Sequence, residues 1–161
     1  MASISAQEFV DIISDAAVHW HQILLYPPFW KAYQKTIDLV WQDFPFAASS
    51  KPKVPQKPGV YAFLLQPGVA SLNSSVVMYI GKTDRPLRTR FAEYLREAES
   101  AAARPELRRM LHFYRGHLVF SCVPLDAPIK PSDVEDGLLS ALTPPVNSSL
   151  PARVSRIVNA F

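Results

Sequence analysis

Proline placement constrains this chain more than any other feature. Pro45, Pro52, Pro55 and Pro58 crowd one stretch and are interleaved with Lys51, Lys53 and Lys57. Proline fixes φ and lacks an N–H donor, so a stretch this rich in it cannot continue a helix or an inner strand. Residues 45–57 are therefore expected to form an extended basic linker. That linker divides the chain into a helical N-terminal extension, residues 1–44, and a main domain, residues 58–161.

In the extension, Ser5-Ala6-Gln7-Glu8 has the form of a capping box that opens a helix. Phe9, Ile13, Ala16, Trp20 and Ile23 follow at helical spacing. Pro27-Pro28 ends that helix and can start another, whose buried stripe is expected at Phe29, Tyr33, Ile37, Val40 and Trp41. Packing onto the rest of the protein is the expected role of these aromatics. His19 and His21, two apart, do not share a face of such a helix and are not read as metal ligands.

In the main domain, Val60–Leu65 and Val76–Ile80 read as strands joined by a hairpin loop, Gln66–Ser75. Pro86 opens a helix with a stripe at Leu87, Phe91 and Leu95. A second helix follows Pro105 through Leu107, Met110 and Leu111. His117–Val123 is a third strand. Ser132-Asp133-Val134-Glu135 repeats the capping-box pattern, and Pro144-Pro145 ends the helix it opens. The order ββααβα predicts an α/β (α+β) fold, a small, mostly antiparallel three-stranded sheet flanked by helices.

Charge is unevenly spread. Residues 1–50 carry Lys31 and Lys35 against Glu8, Asp11, Asp15, Asp38 and Asp43, a net −3, whereas residues 51–161 carry 15 basic and 9 acidic residues, a net +6. A basic main domain points weakly to a polyanionic partner. No apolar run approaches the roughly 18 residues of a membrane span, so no membrane partner is expected. The lone Cys122 excludes an internal disulfide and, with no signal-peptide pattern at the N-terminus, favours a cytoplasmic address, nucleoid or nucleus included.

Gly81-Lys82-Thr83 is not a P-loop, because position 76, where that motif needs glycine, is Val76. No cysteine or histidine pair has zinc spacing. What remains is Gly59-Val60-Tyr61 at the start of one strand, Tyr79-Ile80-Gly81 at the end of its neighbour, Arg90 and Tyr94 one turn apart on the next helix, Glu135, and Asn147 just beyond Pro144-Pro145. On spacing alone, Glu135 is the reciprocal residue of the Ser132 cap, Arg90 a solvated helix-face charge, and both tyrosines ordinary strand residues.

Together, and in this order, these residues resemble the GIY-YIG nuclease superfamily over about Pro58 to Pro151. The segment between the two triplets, residues 62–78, is longer than is usual there, and Tyr94 stands where some members carry histidine. The resemblance implies a metal-dependent DNA endonuclease that leaves 5′-phosphate and 3′-hydroxyl ends. It makes Glu135 the ligand of a single Mg²⁺ or Mn²⁺, a hard cation that often takes one or two carboxylates plus waters. Arg90 becomes the phosphate clamp, and Tyr61 deprotonates or orients the attacking water, helped by Lys82. Tyr79 and Tyr94 hydrogen-bond to water or phosphate, and Asn147 braces the site. Lys82, Arg85, Arg88, Arg108, Arg109 and Arg115 are the candidate DNA-backbone contacts. Two rival readings are a DNA-binding module without catalysis and a protein-interaction domain. The N-terminal helices are the candidate surface for a homodimer or a protein partner.

Overall fold

The computed structural model describes residues 5–33, 38–68, 74–100 and 104–160. Its centre is an antiparallel sheet of four strands, β1 (Gln42–Pro45), β2 (Gly59–Leu65), β3 (Val76–Thr83) and β4 (Leu118–Pro124), in the order β1-β4-β2-β3. The expected three-strand sheet is thus one strand short. The missing strand, β1, comes from the stretch assigned to the extension and linker. Pro45 is compatible with it because β1 lies at an edge of the sheet, where a missing donor costs no ladder bond.

Strand alternation divides β2 between two cores. Tyr61 and Phe63 face one, together with Phe120 of β4, and Val60 and Ala62 face the other. The first core is closed by helices α3 (Leu87–Glu97) and α4 (Pro105–Phe113), which bury Leu87, Phe91, Tyr94, Leu107, Met110 and Leu111. The second is closed by α5 (Pro131–Leu142) through Val134, Leu138 and Leu139. Helices on both faces explain why β2 and β4 are almost continuously apolar. The β2–β3 register slips after Phe63, which pairs with Tyr79 while Leu64 pairs with Val77. Skipping Met78 in this bulge lets Met78 and Tyr79 both reach the first core.

The expected extended linker is instead built into the fold. Residues Ala48–Lys53 form a 3₁₀ helix, and Phe46 and Val54 beside it are 5% and 0% exposed. The Phe46 ring meets Phe63 and Phe91 edge-on at 5.1 and 5.5 Å. Backbone carbonyls of this stretch, those of Pro52 and Pro55 among them, serve as acceptors. The first N–H groups of α3, which no helical carbonyl can satisfy, donate from Leu87 to the Lys57 carbonyl and from Arg88 to the Pro55 carbonyl, at 2.9 and 3.0 Å. The Arg88 guanidinium adds bonds to the carbonyls of Val54 and Pro52.

The N-terminal part departs further from expectation. Helix α1 (Ala6–Ala17) begins with the Ser5–Glu8 capping box, yet none of its residues is buried, and Phe9 and Ile13 are about half exposed. The helix stops before Trp20 and Ile23, so those two do not extend its stripe. The second helix, α2, covers only Pro27–Ala32. Its Phe29 is buried and Tyr33 packs against the second core, but Val40 and Trp41 are exposed. Ile37 and residues 69–73 of the hairpin loop lie outside the described residues. A further helix, α6 (Ala152–Val158), buries Val154. None of the described helices is long and apolar enough to cross a membrane.

Candidate active site

Antiparallel register brings the two triplets face to face: Gly59 pairs with Thr83 and Tyr61 with Gly81. Both glycines are needed for close approach. A Cβ on Gly59 would collide with the Val123 carbonyl of β4. One on Gly81 would stand 2.5 Å from the Tyr61 hydroxyl oxygen and 2.6 Å from Cζ. The Tyr61 ring therefore lies directly over the Gly81 backbone, stacked on Phe120 at 5.2 Å.

Behind this pair is a buried hydroxyl network. The Tyr61 and Tyr94 hydroxyls are 2.8 Å apart, and Arg90 donates to them at 3.3 and 2.9 Å. Arg90 also lies over the Tyr94 ring, 4.0 Å from its centroid. The expected shared face of Arg90 and Tyr94 is therefore real, although Tyr94 is fully buried in the core rather than turned beside it. Burial raises the pKa of both phenols above the ordinary value, and neighbouring tyrosines add to the shift. A neutral, 2% exposed Tyr61 is poorly suited to abstracting a proton and well suited to orienting one. Arg90 is also held by Glu93 and Glu97, at 2.9 and 3.0 Å, so two carboxylates already counter its charge.

Tyr79, whose ring is 6.5 Å from Tyr61 and 6.3 Å from Tyr94, lines an open cleft of about 320 Å³ together with Arg104, Glu135, Asp136 and Asn147, with Ser148–Pro151 at its rim; Tyr61, Arg90 and Tyr94 do not line it. Glu135 is not part of a capping box. Pro131, pre-set in φ and lacking the N–H, takes the first helical position, so Lys130 is the N-cap and Ser132 lies inside the helix, its hydroxyl turned to Asp133. Glu135 is thereby released from the cap. Burial raises its carboxyl pKa, opposed by the Lys82 charge and a hydrogen bond from the Lys82 backbone N–H, while Asp136 and Asp84 push it further up.

Asn147, on the cleft wall, is tied to β3 through its side-chain amide. Its amide accepts from the Ile80 N–H at 2.9 Å and donates to the Ile80 carbonyl at 2.8 Å. Arg104 was not anticipated from the sequence. It is the N-cap of α4, held extended by the proline that follows, and donates to the Tyr79 hydroxyl at 3.2 Å. Its only local signal, an arginine before a helix-opening proline, does not distinguish it from a surface residue.

The remaining basic candidates are dispersed. Arg85 forms a two-bond pair with Glu93, Arg115 pairs with Glu99, and Arg88 holds the 3₁₀ segment. Lys82 is 3.9 Å from Asp84. Arg109 lines a different cavity, and Arg108 sits half-buried on α4. Cys122 is buried, and burial with the nearby Asp43 pushes its thiol up to about 12, so it is no nucleophile.

Among the described residues no group of three His, Cys, Asp or Glu side chains is assembled for a metal. Glu135 stands in the cleft as a half-buried carboxylate with two acidic neighbours. That donor set suits Mg²⁺, which keeps most of its waters, and does not suit a cage-binding ion. Comparison of the chain with family models, with curated proteins and with solved structures finds no match.

Proposed function

We propose that the chain is a GIY-YIG-type, divalent-metal-dependent DNA endonuclease. The observation that carries this reading is the convergence of Tyr79, Glu135 and Asn147 on one open cleft, with the Tyr79 ring beside Tyr61 and Tyr94 of the buried network. These residues lie far apart in the chain, and simple core packing gives no reason for a carboxylate, an arginine and an amide to line one opening.

In this reading Glu135 holds Mg²⁺ or Mn²⁺, and the ion supplies Lewis acidity and an activated water. Arg104 faces the cleft and receives a phosphate oxygen, a task for which its planar donor fork is suited. Arg90 fixes the two buried hydroxyls, its own charge countered by Glu93 and Glu97. Tyr61 keeps its proton and orders the network, and Tyr79 is the phenol that meets substrate. Asn147 holds β3 at the edge of the cleft. The Lys82 charge opposes the upward shift that burial imposes on the Glu135 carboxyl. Lys82, Arg85, Arg88, Arg108, Arg109 and Arg115 remain the proposed backbone contacts.

Plasmid nicking in Mg²⁺ tests the proposal. Wild-type protein should cut, EDTA should stop it, and Glu135→Ala should reduce cutting to background. Cutting by Glu135→Ala at the wild-type rate would sink the assignment. The uncovered apolar residues of α1, Phe9, Val10, Ile12 and Ile13, favour a second role for the N-terminal helices in homodimer formation. Sedimentation at rising concentration should show self-association that a Phe9→Asp, Ile13→Asp variant lacks.

A further inference from the structure

Beyond the C-cap of α1 at Val18 the chain leaves the helix. Residues two apart no longer diverge there, and His19 and His21 turn to the same side. His19 Nδ1 and His21 Nε2 each stand 3.2 Å from the Tyr114 hydroxyl oxygen, at the C-terminal end of α4. Had the helix continued to Ile23, as the apolar spacing predicts, the two rings would diverge.

We infer that His19, His21 and Tyr114 form a binding site for a first-row transition-metal ion, with Zn²⁺ as the ion to test. The site is independent of the cleft at Glu135 and does not rest on the nuclease reading. Imidazole nitrogen and phenolic oxygen are donors such ions accept. Four donors placed tetrahedrally at zinc's usual bond lengths of roughly 2.0–2.1 Å are about 3.4 Å from one another. The two observed donor separations of 3.2 Å nearly match the edges of that tetrahedron.

The surroundings suit the task. The His19 ring is held edge-on against Phe113 at 5.2 Å and packs against Tyr114 at 5.5 Å, which limits its rotation. A cavity of about 240 Å³ adjoins His21 and Tyr114, with Glu106 and Arg109 on its wall, leaving room for a metal-bound water. Metal binding displaces the Tyr114 proton to solvent, so one phenolic O–H is exchanged for one metal–oxygen bond. Occupancy pins the segment after α1 to α4.

The test is calorimetric titration of Zn²⁺ into the full chain after chelator treatment and dialysis, repeated in buffers of different ionisation enthalpy to count released protons. Wild type and Glu135→Gln should each bind one Zn²⁺ per chain at this site. His19→Ala and His21→Ala should each weaken binding at least about tenfold. Tyr114→Phe should weaken it and abolish the proton release assigned to the phenol. Both histidines are only partly buried, so each variant should fold, and circular dichroism checks this. Three results would overturn the site: no Zn²⁺ uptake by wild type, uptake undiminished in both histidine variants, or Tyr114→Phe binding as tightly as wild type with the same proton release. Loss of uptake in Glu135→Gln but in neither histidine variant places the ion in the cleft and also overturns it.

Discussion

Replacing Gly81 with alanine should be among the costlier single-methyl additions in this protein. Gly81 is absent from the residues with positive φ, so the cost is steric rather than conformational. The added Cβ would lie 2.5 Å from Tyr61 Oη, 2.6 Å from Cζ and 2.9 Å from Cε2. The ring cannot slide away freely, because Phe120 is stacked beneath it and Tyr94 stands edge-on at its side. Overpacking of a closed core costs about 1–3 kcal/mol. Moving Tyr61 also strains its bonds to the Tyr94 hydroxyl and Arg90, and a buried hydroxyl left unsatisfied costs about 1–3 kcal/mol. Tyr94 keeps its own bond from Arg90, so the second cost is incomplete. The sum is about 2–5 kcal/mol. Urea unfolding of Gly81→Ala, Tyr61→Leu and the double variant measures it. Leucine has none of the three ring atoms that meet the new methyl, so Gly81→Ala should cost less than about 0.5 kcal/mol in the Tyr61→Leu background. A Gly81→Ala protein within about 0.5 kcal/mol of wild type, or an equal cost in both backgrounds, would refute the close-approach explanation.

Other expectations follow from the cleft and the core. Under the proposed cutting reaction, the raised Glu135 pKa should place the acid limb of the pH–rate profile above the ordinary glutamate value of about 4.3. Lys82→Ala removes the opposing charge and should move that limb to still higher pH, and an unmoved limb would contradict the electrostatic role. A folded-state carboxyl raised in pKa contributes stability at low pH that is lost as pH climbs through that pKa. Glu135→Gln should therefore abolish cutting and raise Tm at pH 7 in a thermal melt. Arg104→Ala should lower kcat/KM for cleavage by about tenfold or more, with Arg104→Lys partly restoring it; equal rates for all three proteins would remove Arg104 from the phosphate path. Phe46→Ala should cost about 3–5 kcal/mol in urea unfolding, against near zero for a residue in a spacer.

The sequence carried the main domain well because its elements are governed locally. Alternation in β2, the helical stripes of α3 and α4, and the prolines at their starts can all be read without knowing what they pack against. Strand β1 could not be read so. Gln42–Pro45 has little strand character of its own, and its evidence is tertiary: four register pairs with β4 and a 2.5 Å bond from Ser121 to Asp43. The 3₁₀ segment was obscured for a related reason. The carbonyls of Pro55 and Lys57 just after it accept bonds from the start of α3, and acceptor geometry leaves no mark in composition. At the candidate site, the two triplets, Arg90, Tyr94 and Asn147 were legible as an ordered set. The release of Glu135 from a cap depended on whether Pro131 or Ser132 began the helix, and a shift of one residue decided it. Arg104 enters the cleft through the position of α4, which no local pattern encodes.

The Asn147 bond to Ile80 has a further consequence. Strand β3 is one of the two edges of the sheet, where an unpaired row of N–H and C=O groups is an open template for another strand. Asn147 occupies both polar groups of Ile80, and the Val146 N–H takes the Met78 carbonyl at 3.0 Å. Those two residues thus imitate the start of a fifth strand and end the ladder there, which guards the molecule against edge-to-edge aggregation. Because the same asparagine also shapes the cleft, a lesion that opens the cleft at this point exposes the sheet margin too, and loss of activity and loss of colloidal stability should arrive together.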